Sequence, residues 1–99
     1  MGPEPTEIDE QALVLRRRSK GFGTIVQALG LSRASDANEA FNRALRRRSP
    51  EEQAAIRSEE NVRLDRLRKA VTADTDRTQD EIAKRLRAVD RLRARLMSP

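Results

Sequence analysis

One short stretch, Ser49-Pro50-Glu51-Glu52, constrains the chain more than any other. Ser49 can accept from an orphan backbone N–H, and Pro50 needs no N–H at the first helical position. Glu52, three residues after the serine, completes a capping box. Together they specify a helix start that divides the 99 residues into two helical pieces. Each piece is too small to bury much core alone.

The apolar residues upstream recur at helical spacing, and the breaks between them are polar or glycine-rich. Residues 1–6 (MGPEPT) read as a flexible lead, in which Gly2 and Thr6 match an acylation pattern by chance beside Pro3. A first helix is expected over Glu7–Ser19, with acids in its first turns, arginines in its last, and Ile8, Ala12 and Leu15 on one face. A second fits Phe22–Leu29, with Phe22, Ile25, Val26 and Leu29 on the buried side and Gly30 as a left-handed cap. A third is expected to start behind Asp36 as N-cap, with Glu39 completing the box and Ala37, Ala40, Phe41, Ala44 and Leu45 facing inward.

Beyond Ser49 the pattern predicts a helix to about Val71, a polar turn through TADTDRTQD, and a last helix opened by Thr78 and Glu81. Each carries one aliphatic stripe. On the fourth helix it comprises Ile56, Leu64, Leu67 and Val71, with Glu60 on the same seam and Val62 turned away. On the fifth it comprises Ile82, Leu86, Val89, Leu92 and Leu96. Two such stripes bury too little area to offset the entropy of ordering fifty residues, so this half should need partners. Pairing of an acidic start (Glu51, Glu52, Glu59, Glu60) with a basic end (Lys84, Arg85, Arg87, Arg91, Arg93, Arg95) favours an antiparallel arrangement. The expected fold is all-α: a three-helix domain over 7–48 and an antiparallel helical hairpin over 49–99 that oligomerises.

Composition narrows the function. With no Cys and no His there is no disulfide, thiolate, zinc finger or imidazole base. No carboxylate cluster has metal-binding spacing, and no phosphate loop or nucleophile is visible. The expectation is a non-enzyme without metal or cofactor. No apolar run reaches the roughly 18 residues of a membrane span and no signal pattern opens the chain, so a cytoplasmic protein is expected. The formal net charge of +5 is carried largely by arginine, the residue suited to phosphates and base edges.

The stretch ALGLSRASDANEAFNRALRRR therefore reads as the second half of a helix-turn-helix with a lengthened turn. Asn38 and Asn42, one turn apart on the outer side, can each pair with adenine. Arg46 continues their row, with Arg43 beside it. Arg33 and Ser35 lie in the turn where phosphates pass. Arg16, Arg17, Arg18 and Lys20, with Arg47 and Arg48, are natural phosphate contacts that add affinity without sequence information. Asp36 and Glu39 oppose DNA at the same end.

The order of parts over residues 12–97 resembles the small terminase subunits of tailed bacteriophages and phage-like gene transfer agents. The resemblance rests on Ala37, Ala40, Phe41, Arg43, Ala44 and Leu45 in the third helix, then Glu60, Leu64, Arg66 and Leu67. It closes on Val89, Arg91, Leu92, Arg95 and Leu96. It implies a non-enzymatic viral protein that recognises double-stranded genomic DNA at the packaging site in the host bacterial cytoplasm. Such a protein assembles into a ring through its hairpin and regulates a large subunit carrying the ATPase and nuclease. It also implies DNA contacts for Arg33, Asn38, Asn42, Arg43, Arg46 and the Arg16–Arg18 run. Two other readings of the same residues are a dimeric helix-turn-helix transcriptional regulator and a helical protein–protein adaptor.

Overall fold

The computed structural model describes residues 4–99, and among them there are five helices and no strand. The first, α1 (Pro5–Arg17), starts two residues before the expected Glu7, because Pro5 sits in its opening turn with the angle a helix needs. The last two residues of the supposed flexible lead thus belong to a helix. Residues 1–3, including Gly2, lie outside the described residues. The C-terminal end of α1 also comes earlier than expected. Ser19 turns into the left-handed region at φ 66°, and the Lys20 amide donates back to the Leu15 carbonyl at 3.1 Å.

Helix α2 (Phe22–Leu29) has the expected bounds. Gly30 terminates it at φ 67°, a conformation that penalises a side chain by crowding its Cβ, and the Leu31 amide closes onto the Val26 carbonyl at 2.9 Å. Helix α3 (Ala34–Arg46) begins three residues earlier than a cap at Asp36 allows. Arg33 occupies the N-cap position, and Asp36 reaches back from the third helical position to accept its backbone N–H at 3.1 Å. The acid still closes the helix start, but from inside the first turn.

Helix α4 (Pro50–Ala73) opens as the capping signal requires, with the Glu52 amide donating to Ser49 Oγ at 3.2 Å. Helix α5 (Gln79–Met97) opens similarly, the Glu81 amide donating to Thr78 Oγ1 at 3.2 Å. Between them Asp74 shapes the turn by accepting from the Asp76 amide at 3.0 Å and from Arg77 Nε at 3.1 Å. The Asp76 N–H holds the Asp74 carboxyl below its ordinary pKa of 3.8, with the Arg77 charge adding to the effect. No described helix is long and apolar enough to cross a membrane.

The chain forms two compact units, the first ending at Ile56 and the second running Arg57–Pro99. The boundary falls inside α4, several residues beyond Ser49, so the first unit includes the opening turns of that helix. In the first unit α1, α2 and α3 pack on one another around Ala12, Leu13, Ile25, Ala37, Ala40, Phe41, Ala44 and Leu45, all buried, and Ile56 is buried as well. The alanines on α1 and α3 let the backbones approach closely. Phe41 is the largest fully buried side chain and meets Phe22 edge-on, ring centroids 6.0 Å apart.

In the second unit α4 and α5 run antiparallel, because partners that rise in number along α4 fall along α5. Arg57 Nε donates to the Leu96 carbonyl (2.9 Å), Arg93 to Asn61 (2.7 Å) and Asp65 (2.7 Å), and Arg68 to Asp90 (2.9 Å). Two ion pairs across the helices use Asp65 and Asp90 as their acids. Glu60 is buried on the seam, as expected, and pairs with Arg63 one turn on (2.8 Å). Leu64, Val71, Val89 and Leu96 are buried, whereas Ile82, Leu86 and Leu92 are half-covered. Leu67, placed on the stripe by its spacing, stays 44% exposed.

Candidate nucleic-acid interface

The exposed start of α3 is set by the chain that leads into it. Gly30 turns the backbone out of α2, and the extended Arg33 (φ −140°, ψ 154°) turns it into α3. Burial of Ala37, Ala40, Phe41, Ala44 and Leu45 fixes which side of α3 faces inward. Arg33 and Ser35 are left exposed, and Asn38 and Arg46 half-exposed. Arg33 caps α3, Ser35 and Asn38 lie in its first two turns, and Arg46 is its last residue.

Asn42, between Asn38 and Arg46, is not accessible. Expected on the outer side with Asn38, it is 1% exposed, and its Nδ2 donates to the Asn38 carbonyl at 2.9 Å and to Asn38 Oδ1 at 3.3 Å. Its own Oδ1 is buried with no partner among the described residues. The reason is angular: Asn42 follows Phe41 and precedes Ala44 and Leu45, so a slight rotation of α3 puts its short side chain inside the edge of the core.

Arg43 is committed elsewhere. Its guanidinium binds the buried Asp9 through two parallel hydrogen bonds, Nε to Oδ2 at 3.1 Å and Nη2 to Oδ1 at 3.0 Å. Arg47 adds a third, Nη2 to Oδ2 at 2.8 Å, and Arg48 binds Glu10. These contacts tie the acidic start of α1 to the basic end of α3. Burial alone would raise the Asp9 pKa, but the bonds and charges of Arg43 and Arg47 outweigh it and hold the carboxyl below 3.8. Asp9 is absent from the expected site, although its register was a signal: it lies one turn before Ala12 and Leu13, an acid on the buried face.

In the Arg16–Lys20 segment the roles diverge. Arg16 lies over the Phe22 ring, 4.2 Å from its centroid, and donates to the Lys20 carbonyl at 3.2 Å, closing the end of α1. Arg17, Arg18 and Lys20 are exposed. Arg18 also rims an apolar groove of about 440 Å³ between α1 and α2, lined by Val14, Leu15, Ala28 and Leu29.

The first unit thus keeps Arg33, Ser35, Asn38 and Arg46 accessible on and beside α3, and Arg17, Arg18 and Lys20 exposed at the end of α1. Among the described residues no three His, Cys, Asp or Glu are grouped as a metal site. No known family model, curated protein or solved structure matches the chain.

Proposed function

We propose that the chain is a DNA-binding, ring-forming small terminase subunit. In this reading it is non-enzymatic: it recognises viral genomic DNA in the host cytoplasm and regulates a large ATPase and nuclease subunit. The observation that carries the reading is that Arg33, Ser35 and Asn38 are accessible at the start of a helix whose other side is buried, with Arg46 accessible at its last position. Helices α2 and α3 act as a helix-turn-helix, with the first turns of α3 in the major groove. Asn38 keeps an Nδ2 donor for a base edge and Arg46 suits guanine, while Arg33 and Ser35 meet phosphates. Helices α4 and α5 serve assembly. Their sparse aliphatic burial and the exposed Leu67 support a helix pair completed by other copies. Asp36 at the reading end weakens each head, and a ring compensates by multivalency.

Native mass is the first test. An assembly of many subunits is expected. A dimer points instead to a small transcriptional regulator, and a monomer overturns the assembly role. The second test is the Arg33→Ala, Asn38→Ala double variant, titrated against packaging-region and unrelated duplexes. Loss of a base-edge contact costs about 1–3 kcal/mol, so discrimination between the duplexes should fall by about 5- to 150-fold. Arg18→Ala should instead lower affinity evenly for both. A wild-type protein that binds no duplex even at low salt ends the reading.

A further inference from the structure

The excess positive charge is not in the half that carries the helix-turn-helix. Residues 1–56 hold nine Lys and Arg against eight Asp and Glu, a net +1, and three of those arginines are engaged by Asp9 and Glu10. Residues 57–99 hold twelve against eight, a net +4. Within that second unit the cations divide by position. Arg93 and Arg68 join α4 to α5, and Arg57 binds carbonyls at the end of α5. Lys84, Arg85 and Arg91 do none of this, although the Arg85 charge acts on the Asp74 carboxyl. They are exposed and line one open groove of about 500 Å³ along α5, together with Arg77, Glu81 and Ala88.

From this we infer that α5 carries a second nucleic-acid surface, a sequence-independent site for the phosphate backbone of duplex DNA centred on Lys84, Arg85 and Arg91. Lys84 and Arg91 are seven residues apart, about 10 Å along the helix, with Ala88 between them. The small side chain leaves a recess flanked by cations, open enough for a phosphate to enter. Arg77 closes one end, its Nε on Asp74. Glu81 is the one acid in the lining, outnumbered by four cations.

A rod-like polyanion is the occupant that fits. Lys84, Arg85 and Arg91 line one groove along α5, matching a duplex whose charges recur every few ångströms. A lipid surface fits less well. Ala88 is the one apolar residue in the lining, and the chain has no Trp or Tyr to anchor at a membrane interface. The inference rests on the nucleic-acid reading above but assigns a surface separate from α3.

The test compares three full-length variants with the wild type by fluorescence anisotropy on a duplex of unrelated sequence, from 50 to 200 mM salt. The first is Lys84→Gln, Arg85→Gln, Arg91→Gln; the second keeps the charges as Lys84→Arg, Arg85→Lys, Arg91→Lys; the third is Arg33→Ala, Asn38→Ala. Loss of three phosphate contacts lowers the slope of log affinity against log salt by about 2–3. Over that salt range the wild type should therefore lose about 40-fold more affinity than the glutamine variant. The charge-keeping variant should retain the wild-type slope. If the glutamine variant binds like wild type while the α3 variant is impaired, the α5 surface is wrong and the α3 reading stands. If the slope falls with the glutamine variant while the α3 variant, titrated also on a packaging-region duplex, keeps its sequence discrimination, the α5 surface stands and the α3 reading fails. Binding through these residues to anionic phosphatidylglycerol vesicles, or to poly-glutamate, but not to duplex DNA overturns the inference.

Discussion

Asp9→Asn is expected to lower the stability of the first unit by about 2–4 kcal/mol, the outcome of removing one partner from a buried ion cluster. The carboxyl is only 1% exposed and accepts three guanidinium hydrogen bonds, from Arg43 and Arg47. Asparagine keeps the shape but has one acceptor oxygen and no charge, so the bidentate Arg43 contact cannot re-form. The loss falls short of the largest values because Arg43 and Arg47 are 48% and 43% exposed and recover hydration. Thermal unfolding at pH 7 should shift down by about 8–32 °C, given roughly 4–8 °C per kcal/mol in a chain of this size. An unchanged midpoint would mean that the cluster is no stronger than an ordinary surface network.

The same carboxyl sets an acid limit. Its folded pKa is depressed below the 3.8 of the unfolded chain, so the unfolded state takes up the proton first. The stabilisation is therefore fully present above that value and drains away as pH falls through the folded pKa. Wild-type stability should drop below about pH 4 with a component missing from Asp9→Asn.

Phe41→Ala is the second large effect, about 3–5 kcal/mol, the range for deleting a buried aromatic. Phe41 is the largest fully buried side chain and the partner of the Phe22 ring. Its neighbours in the first unit's core include Ala12, Ala37, Ala40 and Ala44, whose methyls cannot swing into the space it leaves. The cavity therefore persists, and cavity volume raises the cost. In urea the midpoint should fall by about 2 M at an m-value of 1–3 kcal/mol/M, with m unchanged if the native packing survives. A midpoint shift below a few tenths molar would show that the alanine-rich core collapses around the deletion.

How far the fold was legible varies by feature. Helix type and order follow from period and punctuation, which are local: Ser49-Pro50, Thr78 with Glu81, and Gly30 each satisfy or release backbone groups within a turn. The start of α3 was legible only in part. Asp36 can close a helix from the N-cap or from the third position, and the choice depends on where the preceding turn delivers the chain. The candidate site was read less well still. Arg33, Ser35, Asn38 and Arg46 face outward, but Asn42 is buried beside the core and Arg43 is bound to Asp9, 34 residues away.

By itself, then, the sequence determined what one or two turns of backbone can decide: five helices, the starts of α4 and α5, the Gly30 stop of α2, and the apolar residues that α3 buries. Its cationic surplus was visible too, since charge counts need no coordinates. Only the tertiary structure decided which cations are already neutralised. Arg43, Arg47 and Arg48 meet acids of α1, and Arg68 and Arg93 meet acids across the second unit, while Lys84, Arg85 and Arg91 line an open groove. The physical reason is reach. A guanidinium takes a partner within about 3 Å, and which carboxylate lies that close depends on how helices far apart in the chain are brought side by side.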